Sequence, residues 1–536
     1  MNMNKVIILT GLLFFIFLMG CSEDFLDKQP FDKVTSGTFY KTREDIEQAV
    51  IAVYDVLQRD SWNAPNLIAE SMSDNCSGGG GIVDGFGQNE FDQFYCIDPD
   101  LGDPNWQNGY LGIYRANLVI ENIGNVKWAS GESGLAAQYT GEARFLRAYF
   151  YFNLAKIFGH IPLVTKILTP DEAYIPQADP EDVYKYIAED LVYAIENLPA
   201  TPPGPGPNAG RATKWAAEAM LARAWLFYTG YYKKSDIAGI VTKMQVTNYL
   251  DDIITNGGFT LLPDFSGLWE LNENNDYNKD NIEILFAIKY TYLGHGDWNI
   301  NDGNRWQVMV GPRNKTYVPY AKGWGIFPVN PSIYYAYDTA DTRRNATIVN
   351  WEEFLGPGVY DISDQRQYTG FGWNKYGAKA FSENQTVAEG YGGNFMIDNF
   401  QDLTILRYAD VLLMAAELHL GDGKDVEYFN RVRDRAFQDD AHRISSLTIH
   451  DIMEERRLEF ALEGLRYYDL LRQGMDVTKA AIEANSFQTD EFPVSFPSDK
   501  GFEGFLKIPE TQVSLSNNTL KQSDYWESAA SNSPTH

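Results

Sequence analysis

Two nine-residue stretches, EARFLRAYF at 142–150 and EAMLARAWL at 218–226, carry Glu, Ala, an apolar residue, Arg, Ala and two large apolar residues in one register. A chain that repeats an amphipathic helix in this way is constrained to stack helices, because each unit cannot bury its own apolar face alone. The offset of 76 residues fits two periods of about 34 residues, the tetratricopeptide period, plus a short insertion. TPPGPGPNAG at 201–210 can be that insertion, since neither proline nor glycine propagates a helix. LRYADVLLMAAEL at 406–418 is a looser third copy. The small residues Ala143, Ala148, Ala219 and Ala224 let helices approach, while Phe145, Tyr149, Leu221 and Trp225 fill the gaps.

Helical periodicity predicts helices over 43–59, 109–126, 137–158, 181–198, 212–231, 403–420, 424–437 and 448–472. Residues 60–108 and 257–400 are instead rich in turns and aromatics. The chain therefore divides into a signal at 1–20, a tether at 21–42, a helical part at 43–256 with a loop insertion at 60–108, a loop-rich part at 257–400, and a second helical part with a closing segment at 401–536. In 449–474 apolar residues wrap most of the helix, so it should be buried on two sides. Its pairs Glu454 with Arg457 and Glu463 with Arg466 read as structural charges, at a solvated edge or in a helix–helix bridge, rather than as catalytic ones.

At the amino end, Lys5 precedes the apolar run Val6 to Met19, and Gly20 and Cys21 follow it. That is the layout of an export signal, and the run falls short of the roughly 20 residues a spanning helix needs. LMGC at 18–21 resembles a bacterial lipobox, which would make Cys21 the lipid attachment point and the protein anchored rather than embedded. Two further cysteines, Cys76 and Cys96, fit either a disulfide or two buried thiols, since spacing does not report side-chain geometry.

The formal charge of −29, from 44 basic and 73 acidic residues, opposes binding to nucleic acid or other phosphate surfaces. No Walker, GxSxG, HExxH or CxxC pattern occurs, and the six histidines are scattered. No cofactor is expected. SDNCSGGGGIVDGFGQNEFD at 73–92 lacks the spacing of an EF-hand and reads as a mobile surface loop. Paired carboxylates suitable for a glycosidase are not informative in so acidic a chain, so a hydrolase stays an alternative.

Aromatic residues make the positive argument. Six of the 12 tryptophans lie between 257 and 400, in segments such as YTYLGHGDWNINDGNRW and YAKGWGIF. A sugar ring offers an apolar C–H face and a hydroxyl rim, which an indole or phenol beside Asn, Asp or Arg can match; the same side chains also serve as core residues with one polar end. The candidate ligand residues are Trp298, Trp306, Trp324, Tyr292, Tyr320, Asp297, Asn299 and Arg313, with Trp62 and Trp106 of the same kind in the other loop region.

Several stretches together resemble the SusD/RagB family of Bacteroidetes outer-membrane lipoproteins: DFLD after Cys21, GEARFLRAYFYFNLAKIFGHIPLV at 141–164, RATKWAAEAMLARAWLFY at 211–228, NIEILFAIKY at 281–290, LRYADVLLMAAE at 406–417, EERRLEFALEGLRYYDLLRQG at 454–474 and FLKIPETQVSLSNNTLKQSDYW at 505–526. The last departs in detail, with Gln512 where an acid is usual and Ser523-Asp524 where Asn and Gly are common. The resemblance implies a mainly α fold of about four tetratricopeptide-like helix pairs that carries a loop-rich binding part. It also implies a role without catalysis: a cell-surface lipoprotein that captures an oligosaccharide, or in RagB-type members a peptide, and closes as a lid over a SusC-like TonB-dependent transporter. Glu23 and Asp24 look like the family's surface-export signal. The family does not fix its binding residues in position, so the site residues named above rest on local composition alone. A scaffold that binds only proteins is the third class the repeats allow.

Overall fold

A computed structural model describes residues 39–59, 64–84, 87–95, 98–274, 276–294 and 296–531. Cys21, the apolar run before it, Trp62 and Cys96 lie outside them. Four helix pairs follow one another, each helix packed on the next: α1 (Arg43–Gln58) with α2 (Asp103–Asn122), α3 (Ser133–Phe158) with α4 (Pro180–Asn197), α5 (Lys214–Tyr232) with α6 (Lys243–Asn256), and α7 (Tyr408–Leu418) with α8 (Lys424–Phe437). Among the described residues no helix is long and apolar enough to cross a membrane.

The echoed stretches sit on α3 and α5, and all five of their alanines are fully buried. Each echoed arginine ties its helix to a neighbour: Arg147 donates twice at 2.8 Å to Asp190 on α4, and Arg223 reaches Asp410 on α7 at 2.6 Å. Close approach is also built into α2, where a Cβ on Gly109 would lie 2.7 Å from Leu154 and one on Gly112 2.2 Å from Phe150. The period, however, differs from the expectation. Only α4 separates α3 from α5, so the 76-residue offset is a single pair with long helices and connections, not two periods of about 34.

Between the third and fourth pairs the chain leaves and re-enters through two antiparallel strands, β1 (Ile284–Ile288) and β2 (Leu403–Arg407), with Ile284 opposite Arg407 and Ile288 opposite Leu403. Everything from 289 to 402 is thus one excursion rooted in a two-stranded base. The first residues of the helix expected over 403–420 are therefore strand. Their run LTILR is wholly buried, and a short apolar run joined to a helix does not reveal its own period.

The helix expected over 448–472 is broken into α9 (Ile449–Phe460) and α10 (Arg466–Leu471). Between them Leu462 and Gly464 take positive φ of 68° and 76°. A side chain at Gly464 would meet the Asn66 backbone at 2.4 Å. The buried Glu70 carboxylate holds this turn, accepting from the Leu462 and Gly464 N–H groups at 3.0 and 2.7 Å. The charges of this region are structural, with partners other than those read from spacing. Arg457 and Arg466 converge on Asp74 at 3.1 and 2.8 Å. Glu463 receives Arg407 and Lys375, each at 2.8 Å.

Glu459, fully buried, joins Arg343, Arg407 and Arg435. Against the desolvation of burial, those three guanidiniums hold its carboxyl well below the usual range. Arg343 also binds Asp341 at 2.7 Å, so the cluster welds the long excursion to α8 and α9.

The glycine-rich stretch after Ser73 is not a mobile surface loop. Residues 73–81 are buried, and the chain bridges at Cys76 to Val329 and at Gly79 to Ile326. A Cβ on Gly79 would lie 2.3 Å from Pro328, and one on Gly81 1.9 Å from the Arg313 guanidinium. The glycines therefore serve close packing of two segments. Cys76 is a buried free thiol at 1% exposure, and the pairing considered with Cys96 involves a residue outside the described ones. Burial pushes its pKa well above the ordinary value, with Glu70 adding to the effect.

Candidate functional site

Within the excursion, residues 291–305 form a loop that holds Trp298 half in solvent, at 48% exposure. Asp297, Asn299 and Ile300 beside it are exposed as well. The loop is fixed from below. Arg305 donates to the Trp298 and Ile300 carbonyls at 3.0 and 2.8 Å, with its guanidinium 6.0 Å from the indole centroid. Asp398 accepts from the Gly296 and Asn394 N–H groups, both at 2.7 Å, which fastens the loop to the segment 391–399. A Cβ on Gly303 would lie 1.8 Å from the Ile397 carbonyl, so only glycine admits this contact. Asp297 accepts from Asn299 at 2.9 Å through both its backbone and its side chain. Both residues flank Trp298 in sequence and are exposed with it.

The segment 391–399 leads on to a second aromatic group. Phe395 lies under the Lys322 ammonium at 4.2 Å. Along 321–325 burial alternates, so half-buried Lys322 and Trp324 share one side while Ala321, Gly323 and Gly325 face inward. Trp324 is partly buried and packed on the core. Its carbonyl accepts from Arg313, whose guanidinium also binds Asp84 at 2.8 and 3.1 Å and Asp364 at 2.9 Å. Arg313 is thus a clamp between loops, with most of its donors in use.

Beyond it, Tyr317, Tyr360 and Tyr368 form a ladder with centroids 5.3 and 5.0 Å apart, and Trp351 lies against Tyr360 at 5.0 Å. Tyr320 meets Trp351 and the exposed Phe354 edge-on at 5.5 and 5.2 Å. Burial raises the Tyr320 phenol to about 12.

Of the residues expected at the site, Trp298, Asp297 and Asn299 stand together on one open loop. Trp324 and Arg313 are joined to it through Phe395 and Lys322. Tyr292 turns inward, 4.9 Å from Tyr391 and 5.1 Å from Phe400. Trp306 has no exposed surface: it stacks on Tyr376 at 4.9 Å and meets Trp373 edge-on at 5.8 Å, so it is a core residue and presents no face to a ligand. Trp106 is likewise buried, edge-on to Phe158 at 5.2 Å. Composition alone did not single out Tyr360, Tyr368, Phe354 or Phe395. They are scattered in sequence, and the ladder exists only through long-range packing.

Comparison with known proteins follows this geometry. Residues 24–226 match the family described as "Starch-binding associating with outer membrane", and residues 283–526 match the "SusD family". A "SusD-like protein" of Bacteroides ovatus is 28% identical over 490 residues, covering 87% of this chain and 81% of that protein. The solved "Laminarin binding SusD-like protein" superposes with a TM-score of 0.73 at 26% identity, over 90% of this chain and all of that one. "Surface glycan-binding protein A from Bacteroides thetaiotaomicron" gives 0.76 at 26% identity over 91% of this chain and all of that one. With family models matching residues 24–226 and 283–526 and solved relatives superposing over about 90% of it, the chain belongs to the SusD/RagB family.

Proposed function

We propose that this protein captures a neutral oligosaccharide at the Trp298 loop, without chemistry, for passage through the outer membrane. The observation that carries the reading is the half-exposed indole of Trp298, held rigid by Arg305 and Asp398 and flanked by Asp297 and Asn299. An aromatic face bounded by polar side chains suits the two surfaces of a sugar ring. Because the loop is already fixed, binding costs little ordering entropy. Structural likeness to a protein described as laminarin-binding, and to a surface glycan-binding protein solved in complex with laminarihexaose, supports the ligand class.

A lipid on Cys21 would tether the protein to the outer membrane, and a SusC-like transporter would supply a second binding surface. A ligand held between two surfaces is retained more strongly than by either alone. The excursion, rooted at β1 and β2 and carrying Trp298, is the part that would close over the transported ligand.

The test is an array of oligosaccharides and peptides probed with residues 22–536, with product analysis of whatever binds. Neutral oligosaccharides retained intact are the expected result. Retention of peptides alone would replace the ligand class, and shortened oligosaccharides would make the protein a hydrolase.

A further inference from the structure

Lys156 lies in the last turn of α3, beside α5, α7, α9 and α10. Its side chain is buried, at 8% exposure, and its ammonium sits 4.4 Å from the ring centroids of both Phe152 and Tyr468. Among the described residues no carboxylate or hydrogen-bond acceptor meets it. It lines a cavity of about 30 Å³ whose other charged lining residues are Arg223, Arg456, Arg472 and Asp469.

Those three arginines are already paired. Asp410 takes Arg223 and Arg456, each at 2.6 Å. Asp469 takes Arg456 at 2.8 Å and Arg472 at 2.9 Å, and Glu417 takes Arg472 at 2.5 Å. Four cations therefore share three carboxylates, and the surplus charge is Lys156, set against two aromatic rings at the cavity wall.

We infer that this cavity binds one small monovalent anion, chloride by size, against the Lys156 ammonium. A volume of about 30 Å³ has room for a particle of the size of a water or a halide. Leu226, Phe227, Met414 and Leu465 make much of the wall apolar. A halide tolerates such a wall, whereas a water needs two to four polar partners. Burial, and then the neighbouring Arg223, push the Lys156 pKa down to about 7. An anion in the cavity offsets both effects and keeps the lysine charged. The bound ion would fasten the end of α3 to α9 and α10, joining the N-terminal helix pairs to the C-terminal helices.

Crystals of residues 22–536 grown in sodium bromide, with data at the bromine edge, test the site without any variant. An anomalous peak beside Lys156 is expected, and a cavity free of anomalous density at molar bromide overturns the inference. In parallel, thermal melts at pH 6 compare sodium chloride with sodium gluconate at equal ionic strength. The wild type should melt a few degrees higher in chloride, and Lys156→Met should melt at the same temperature in both salts. An equal chloride effect in the variant would also overturn it.

Discussion

At the residue scale, burial shifts the protonation of some polar groups that lack full partners. Asp92 is the clearest of them. One of its oxygens accepts from the Gly78 N–H at 2.7 Å, the other has no partner, and burial raises the carboxyl to about 7 against that bond and the Gln367 amide. The folded state therefore keeps a proton that the unfolded chain releases near the ordinary carboxylate value. The sign follows: Asp92 leaves stability intact below about pH 4 and erodes it as pH rises towards 7. Asp92→Asn keeps a carbonyl to accept from Gly78 and removes the titration. Its melting temperature relative to wild type should climb by a few degrees between pH 4 and pH 8. Melts across that range check this, and a difference that stays constant with pH would refute it.

At the element scale, the helix pairs are held by close approach as much as by apolar area. Glycine in a helix interior normally costs about 0.5–1 kcal/mol relative to alanine. Gly112→Ala on α2 should nonetheless destabilise the protein, by about 1–3 kcal/mol, because its methyl would sit 2.2 Å from the Phe150 ring on α3. Gly134→Ala, in the first turn of α3 with open space around it, should stabilise by up to about 1 kcal/mol. Denaturant titration of the two variants separates packing from propensity, and equal gains in both would remove the close-packing account.

The same scale shows what periodicity could and could not reveal. Long amphipathic helices such as α4 and α8 were legible, because burial of one face writes a period of 3.6 into the sequence. β2 was not, since LTILR is buried on both faces and runs directly into α7. α6 was missed because only Val246, Leu250 and Ile253 of its 14 residues are buried, too thin a stripe to announce itself.

At the scale of the whole molecule, the helical pairs are a frame and the excursion between β1 and β2 is the part we propose binds the ligand. Its backbone is set by contacts between residues far apart in sequence, such as Arg313 with Asp84 and Gly303 with Ile397. Composition placed the aromatics in this region correctly but could not rank them. Trp298 and Trp306 stand eight residues apart in one segment, yet one is half-exposed and the other wholly enclosed. Their contrast tests the central claim most directly. Calorimetric titration of residues 22–536 with laminarihexaose, or with the strongest oligosaccharide from the array if that differs, should give at least tenfold weaker binding for Trp298→Ala, about 1.4 kcal/mol, with an unchanged melting temperature. Trp306→Ala should instead lower the melting temperature, since loss of a buried tryptophan costs roughly 3–5 kcal/mol of folding free energy. Wild-type affinity in Trp298→Ala would contradict the account.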